Sequence, residues 1–201
     1  PPYDSALLHR EMELFREWFL GQLMALELSA EEQQILNQTF ALLADNALEQ
    51  PRVWVHRDYH SRNLMITDPD NPGVLDFQDA VVGAVTYDLV SLLRDCYIAW
   101  PREQVEFWAL DYRARLRALG MSGLGDADQF LRWFDLMGVQ RHLKATGIFA
   151  RLHLRDGKPG YLRDIPRTLG YVLEVASRYA ELADLQNLLR ARGVDRWRPE
   201  R

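Results

Sequence analysis

The chain reads His56-Arg57-Asp58-Tyr59-His60-Ser61-Arg62-Asn63, and a second acidic stretch, Leu75-Asp76-Phe77-Gln78-Asp79, follows it closely. Between the two lie an apolar run, a segment rich in Asp, Asn, Pro and Gly, and a second apolar pair, over residues 64–75. Apolar runs that flank turn residues in this way predict a β-hairpin. Because the strands of a hairpin are antiparallel, we expect Asn63 and Asp76 to lie at the same end of it.

These side chains are the types that transfer of a phosphoryl group from ATP requires. One carboxylate must orient and deprotonate the attacking hydroxyl, and hard oxygen ligands must hold Mg²⁺ against the phosphates. In a kinase catalytic loop the base follows a His, and a metal-binding Asn follows the base, at the spacing of His56, Asp58 and Asn63 here. The second Mg²⁺ ligand lies at the end of a strand just downstream, as Asp76 does. We therefore predict Asp58 and His56 as catalytic residues, and Asn63 and Asp76 as metal ligands.

Most of the remaining sequence has the apolar periodicity of helices. The second predicted helix begins with Ser29-Ala30-Glu31-Glu32, a capping box in which each side chain can bond the main-chain amide of the other. Strands are predicted only between Val53 and Asp76. The predicted helices span approximately residues 4–28, 29–48, 87–99, 102–119, 127–153 and 163–192. The fold class that follows is mainly α with a small β-hairpin.

Composition excludes several classes of protein. The net charge is −5 and the pI is about 5.6, which argues against a nucleic-acid partner. No apolar stretch is long enough to span a membrane, and the N-terminus lacks an export-signal pattern. The single cysteine, Cys96, cannot form an internal disulfide, which favours a reducing, cytoplasmic location.

Two helices, a small β segment that bears carboxylates and further helices resemble the C-terminal lobe of a protein-kinase-like fold. Kinases of this type have an N-terminal β-lobe with a Gly-rich loop and a strand lysine for the phosphates. The residues before Asp58 contain no lysine, and the chain begins Pro1-Pro2-Tyr3 without Met. We therefore expect residues 1–201 to be the catalytic and substrate-binding lobe, with the nucleotide-clamping lobe upstream in the intact protein. By itself this lobe is expected to be inactive.

The acidic motif is not that of a protein kinase. Only Gln78 to Tyr87 separate it from Asp88, and neither Asp-Phe-Gly nor Ala-Pro-Glu occurs, so an activation segment for peptide docking has no place. The pattern His-x-Asp-x-His-x-x-Asn, with His60 as its second histidine, resembles the aminoglycoside phosphotransferase and choline kinase superfamily, as does Tyr87-Asp88-Leu89. The resemblance implies phosphorylation of a small-molecule hydroxyl with ATP and Mg²⁺. It also implies that Asp88 supports the catalytic loop. We further predict that His60 and Asp79 contact either the substrate or the residues that bind it.

A further resemblance lies in the C-terminal half. Residues 140–152, 155–158 and 161–167 are similar to those of the bacterial amino-sugar kinases of cell-wall recycling, and the similarity extends over about residues 1–179. Those enzymes phosphorylate the anomeric hydroxyl of N-acetylmuramate and N-acetylglucosamine. The resemblance implies a small sugar substrate and a role in peptidoglycan recycling.

Charge gives an independent indication of the substrate. Arg141, Lys144, Arg151 and Arg155 recur near one face of a predicted helix. Such a face would attract the lactyl carboxylate of N-acetylmuramate and repel a cationic aminoglycoside. Arg141 and Lys144 are therefore predicted substrate contacts, although each could instead be solvated or pair with a carboxylate of a neighbouring helix.

Two other functions fit the same sequence. An aminoglycoside or other aminoalcohol phosphotransferase would share the fold and the site but would favour an acidic rim around its substrate. A non-catalytic binding module derived from a kinase lobe is less favoured, because Asp58, Asn63 and Asp76 are all present.

Overall fold

The computed structural model describes residues 2–199; Pro1, Glu200 and Arg201, which belong to the predicted lobe 1–201, lie outside the described residues. The structure is mainly helical, as the sequence predicts, and contains two small antiparallel sheets, one of which is the predicted hairpin. The chain divides into two compact units. Unit one comprises residues 1–4 and 46–138, and unit two comprises residues 5–45 and 139–201. Within the described range, no helix has both the length and the apolar character needed to cross a bilayer.

The elements follow one another in the order that the periodicity indicates. The helices are α1 Ser5–Leu14, α2 Ala30–Leu48, α3 Tyr87–Leu93, α4 Arg102–Ala118, α5 Ala127–Leu154, α6 Ile165–Ala176 and α7 Ala183–Ala191. A π-helix over Phe15–Leu23 continues α1, and short 3₁₀ turns lie at Ser61–Asn63, Pro159–Asp164, Ala180–Leu182 and Val194–Arg196. The strands are β1 Arg52–Val55, β2 Leu64–Met65, β3 Gly73–Val74 and β4 Val81–Ala84.

Three predicted helices are too long. The first one ends at Leu23 rather than near residue 28, and Ala25 beyond it has a left-handed φ of 51°, which no helix accommodates. The helix predicted over residues 87–99 ends at Leu93. The last one is α6 and α7 with a break after Ala176, where the Ser177 hydroxyl donates to the Glu174 carbonyl at 2.7 Å. A serine hydroxyl that bonds the main chain locally competes with continuation of a helix.

Unit one contains a sheet that the sequence does not predict. Strand β1 pairs antiparallel with β4, with Val53 opposite Gly83 and Trp54 opposite Val82. The prediction that strands end at Asp76 is therefore wrong. The sequence signal for β4 is weak, because this strand is only four residues long and includes a glycine, a poor strand former. Tyr3 covers the sheet at this glycine, since a Cβ there would lie 3.1 Å from the Tyr3 Cβ. The adjacent core contains Val85, Leu124, Phe130 and Trp133.

A buried polar network sets the start of α3. Gln50 is 3% exposed, and its side-chain oxygen Oε1 accepts hydrogen bonds from the Thr86 hydroxyl at 2.7 Å and from the Thr86 main-chain amide at 3.4 Å. Its side-chain amide donates to the Asn46 carbonyl at 3.0 Å. Because buried polar groups are costly when unpaired, this network restrains Thr86 and therefore the first turn of α3, which carries Asp88.

In unit two, an ion pair joins the start of α2 to the end of α7. The capping box predicted at the start of α2 is present, with Ser29 N donating to Glu32 at 2.8 Å and Glu32 N donating to Ser29 at 3.2 Å. Arg192 binds the same carboxylate through Nε at 2.5 Å and Nη2 at 2.6 Å. The Arg192 hydrogen bonds and the Ser29 amide lower the pKa of Glu32 to about 2. The glutamate thus caps α2 and ties its start to the end of α7.

Candidate active site

The predicted hairpin is present and brings the two acidic motifs together. Strand β2 pairs antiparallel with β3, with Leu64 opposite Val74, and the pairing continues outward as Leu75 N donates to the Asn63 carbonyl at 3.0 Å. Asp76 therefore follows the residue that is hydrogen-bonded to Asn63. It has a left-handed φ of 68°, and its carboxylate accepts a hydrogen bond from the Gln78 side chain at 2.5 Å.

The loop that carries Asp58 is closed by its own main chain. The Asp58 carbonyl accepts hydrogen bonds from the His60 amide and from the Asn63 side-chain nitrogen, both at 3.0 Å. The Asn63 amide donates to the His60 carbonyl at 2.9 Å, which forms the 3₁₀ turn. Over residues 2–199, no donor bonds the half-buried Asp58 carboxylate. The aspartate is fixed through its main chain, and its carboxylate is available to accept a hydrogen bond from a substrate hydroxyl.

Asp88 holds the start of the loop. One of its carboxylate oxygens accepts the His56 amide at 2.6 Å and the other accepts the Arg57 amide at 3.1 Å. Arg57 has a left-handed φ of 77°, a conformation that a non-glycine residue keeps only when its surroundings impose it. Bonds from amides to an ionised carboxylate are the strong kind that can do so. This is the geometry that the predicted supporting role of Asp88 requires.

Asp95 is a loop contact that the sequence does not indicate. It is 3% exposed and accepts hydrogen bonds from the Ser61 amide at 2.9 Å and the Tyr97 amide at 2.8 Å. The only signal in the sequence is weak, since aspartate is among the poorer helix formers. The helix α3 ends at Leu93, before Asp95, rather than near residue 99 as predicted.

The two histidines of the loop lie against aromatic rings. The His60 ring meets Tyr97 edge to face, with ring centres 5.6 Å apart, and the Arg62 guanidinium lies 3.5 Å from the centre of the same tyrosine ring. The His56 ring lies 5.9 Å from Tyr59. Both His56 ring nitrogens are buried without a hydrogen-bond partner in the part of the chain that the structure describes.

Tyr112 lies within electrostatic reach of the loop support. Burial raises the pKa of its hydroxyl, and the negative charge of Asp88 raises it further. Tyr112 is also packed against the core of unit one. The negative charge of Asp88 therefore acts on the Tyr112 hydroxyl as well as on the loop amides.

The donor set fits Mg²⁺. The Asn63 side-chain nitrogen is engaged with the Asp58 carbonyl, which leaves its amide oxygen as the atom that can bind a cation. Asp76 supplies a carboxylate just beyond the hairpin pairing that Asn63 begins. Among residues 2–199 there is no group of three or more His, Cys, Asp or Glu side chains that could hold a metal. An amide oxygen and a carboxylate are the kind of protein ligands that Mg²⁺ takes, together with phosphates and water.

The predicted substrate contacts occupy different places in the fold. His60 and Asp79 lie in unit one. Asp79 is exposed, and its main-chain carbonyl accepts a long hydrogen bond, 3.5 Å, from Arg57 Nη1. Arg141 and Lys144 lie on the part of α5 that belongs to unit two. Lys144 Nζ is 2.9 Å from a carboxylate oxygen of the buried Glu11, the carboxylate pairing that the sequence leaves open as an alternative.

Residues 1–134 of the chain match the phosphotransferase enzyme family, APH. The matched range contains every predicted site residue except Arg141 and Lys144. The hairpin, the loop and both aspartates that support it therefore lie inside the family match.

Curated relatives cover almost the whole chain. A protein of Pseudomonas putida is 51% identical over 189 residues, one of Neisseria meningitidis is 50% identical and one of Pseudomonas aeruginosa is 48% identical. Each is named N-acetylmuramate/N-acetylglucosamine kinase. Each alignment covers 94% of this chain and 56% of the relative, so the chain spans about half the length of the relatives that it matches.

Proposed function

Because the chain belongs to the phosphotransferase enzyme family, we propose that the intact protein transfers a phosphoryl group from ATP to a hydroxyl of a small amino sugar. The observation that carries this proposal is the geometry around Asp58, whose main chain is fixed on both sides while its carboxylate has no donor within residues 2–199. The names of the relatives support N-acetylmuramate and N-acetylglucosamine as the substrates. Residues 1–201 then form the C-terminal catalytic lobe of a kinase-like fold.

The chemistry assigned to the chain is a direct displacement. The sugar hydroxyl donates a hydrogen bond to the Asp58 carboxylate, and its oxygen attacks the γ-phosphorus of ATP. A new P–O bond forms to the sugar, the bond from the γ-phosphorus to the β,γ-bridging oxygen breaks, and ADP leaves with that electron pair. The hydroxyl proton passes to Asp58 late in the reaction. The role of Asp58 is thus mainly orientation, for which a fixed main chain is useful.

Asn63 and Asp76 are the residues that would hold Mg²⁺. When bound, Mg²⁺ would neutralise the charge that develops on the phosphate oxygens. Gln78 donates to one oxygen of Asp76 and so limits the orientations that this carboxylate can adopt. His56, with its two buried ring nitrogens, is assigned to support of the loop from within.

His60 and Asp79 are the proposed substrate contacts in unit one, and contact of the substrate with Arg141 and Lys144 stays a prediction from the sequence. His60 is held against Tyr97 and follows Asp58 by two residues, which suits contact with a hydroxyl next to the one phosphorylated. The anomeric hydroxyl is the proposed acceptor, and peptidoglycan recycling the proposed role. A cytoplasmic location, the absence of nucleic-acid and membrane partners, and an intramolecular nucleotide-clamping lobe stay predictions from the sequence.

Parallel assays of the intact protein test this function. With Mg²⁺ and ATP, we expect sugar-dependent ADP release with N-acetylmuramate and N-acetylglucosamine, and none above background with kanamycin. The phosphorylated position is read from the ³¹P–¹H couplings of the product. Activity with kanamycin alone would favour the aminoglycoside phosphotransferase instead. ATP binding without transfer to any of the three acceptors would favour the non-catalytic module.

A further inference from the structure

Helix α3 has an aspartate at each end, and both reach the loop that carries Asp58. Asp88 lies in its first turn and binds the amides of His56 and Arg57. Asp95 lies two residues beyond its last residue, Leu93, and binds the amide of Ser61. The two carboxylates therefore accept hydrogen bonds from main-chain amides on both sides of Asp58.

We propose that Asp95 is a positioning residue for phosphoryl transfer, which acts by holding Ser61 and Tyr97 so that the Asp58 carboxylate keeps its direction. The inference rests on the proposed function for its catalytic meaning. Asp88 is the supporting residue that the sequence already indicates, whereas the role of Asp95 comes from its contacts alone. Without Asp95 the Ser61 amide loses the bond that ties the loop to the segment after α3, which weakens the restraint on the residues after Asp58.

Asp95 does more than terminate a helix. Its bond to the Tyr97 amide is local, but its bond to Ser61 joins residues 34 positions apart in the chain. Tyr97 in turn presents its ring to His60 and to Arg62, on either side of Ser61. Asp95 thus restrains the loop twice, through the main chain of Ser61 and through the ring of Tyr97. At 3% exposure the carboxylate is shielded from water, so both bonds are of the strong, charge-assisted kind.

Two substitutions in the intact protein test the proposal from opposite sides of the bond. Asp95→Asn keeps the size of the side chain but places an amide NH₂ against one of the two main-chain donors. Ser61→Pro removes the donor and leaves Asp95 in place. Proline suits this position, because Ser61 is the first residue of a 3₁₀ turn and His60 before it is extended, with φ −134° and ψ 171°.

We expect kcat for sugar phosphorylation to fall about 10- to 100-fold in both variants, because small misplacements of a catalytic group have effects of this size. The KM values for ATP and for the sugar should change by less than about twofold, since neither variant alters a proposed ligand contact. In hydrogen exchange measured by mass spectrometry, amides of residues 58–63 should exchange about tenfold faster, while those of α4 are unchanged. This second measurement does not depend on any activity.

Asp135→Asn is the matched control. Asp135 is also a buried aspartate of unit one, 2% exposed, but its carboxylate binds the Arg102 guanidinium at 2.5 and 2.8 Å. This variant should lower the melting temperature without changing kcat or exchange in residues 58–63. The comparison separates loss of a buried charge from loss of the loop contact.

Each outcome decides one of the two claims. Wild-type kcat and wild-type exchange in both Asp95→Asn and Ser61→Pro would overturn the positioning role while leaving the function intact. If Asp135→Asn lowers kcat as much as Asp95→Asn and Ser61→Pro do, the positioning role is also overturned, because general instability then explains the loss. Faster loop exchange in a protein that phosphorylates no acceptor would overturn the proposed function and leave the loop contact established. If Asp95→Asn does not fold, the result with Ser61→Pro decides.

Discussion

Replacing Gly147 by alanine should destabilise the protein, although alanine is the better helix former. Gly147 lies in the middle of α5, where glycine costs about 1 kcal/mol relative to alanine. Sequence reasoning by itself therefore predicts that Gly147→Ala stabilises the helix. The structure reverses this sign, because the main chain of α1 and of the π-helix passes directly over the glycine.

The expected magnitude follows from the contacts that a new Cβ would make. It would lie 2.5 Å from the Phe15 nitrogen and closer still to the carbonyl carbon and oxygen of Leu14. These are main-chain atoms that cannot swing aside, so the two helical segments must separate. Overpacking of a core costs about 1–3 kcal/mol, and the rigid neighbours place this site at about 3 kcal/mol. Subtracting the gain in helix propensity leaves a net loss of about 2 kcal/mol in the free energy of unfolding.

Urea denaturation followed by circular dichroism measures this loss, with Gly170→Ala as the matched control. Gly170 is also inside a helix, α6, but a Cβ there would meet no atom within 4 Å. Its substitution should stabilise the protein by up to about 1 kcal/mol. The two variants should thus differ by about 3 kcal/mol with opposite signs. Equal stabilisation by both would refute the close approach of α5 to Leu14.

Three further predictions concern the site and one ion pair. Asp58→Asn in the intact enzyme should lower kcat by about 10²–10⁴-fold with ATP affinity unchanged, which steady-state kinetics and nucleotide titration measure. Asp76→Ala should raise the Mg²⁺ concentration for half-maximal rate at least about tenfold, by the usual effect of removing a metal contact. The Arg192 hydrogen bonds lower the pKa of Glu32 from 4.5 to about 2, so the stability from this pair is complete above pH 4.5 and disappears as the pH falls towards 2. Glu32→Gln should therefore cost up to about 1 kcal/mol at pH 7, since both side chains are partly exposed, and almost nothing near pH 2.

The contrary results are equally specific. Retention of most of the activity by Asp58→Asn would remove it from the role of base, and an unchanged Mg²⁺ dependence in Asp76→Ala would remove that residue from the metal site. A loss of stability in Glu32→Gln that is the same at pH 7 and near pH 2 would show that the loss does not come from the charge of Glu32.

Much of the candidate site could be predicted because it is local. The hairpin follows from apolar pairs around turn residues, and the capping box of α2 follows from residues three positions apart. In both cases the groups that bond are close in the chain, so their order already limits their geometry. The roles of Asp58, Asn63 and Asp76 in catalysis stay predictions, with a geometry that suits them.

Features that depend on distant segments could not be predicted in this way. Strand β4 is short and contains a glycine, and it exists because β1, nearly thirty residues earlier, supplies its partner. The end of α3 was misplaced because the apolar pattern continues past Leu93, while the main chain turns to bring Asp95 to Ser61. Periodicity reports which residues are apolar, but not where a buried carboxylate finds its donors.

The amino-acid order predicts the hairpin between the two acidic motifs and the side-chain types that the loop offers, since both depend on residue type and on short spacing. The contacts that hold the loop come from the folded chain. The two ends of α3 act on it through carboxylate bonds to main-chain amides, and every residue except proline has such an amide. Because the donor is common to almost all residues, no sequence pattern pairs Asp95 with Ser61, whereas the support by Asp88 is indicated by its motif.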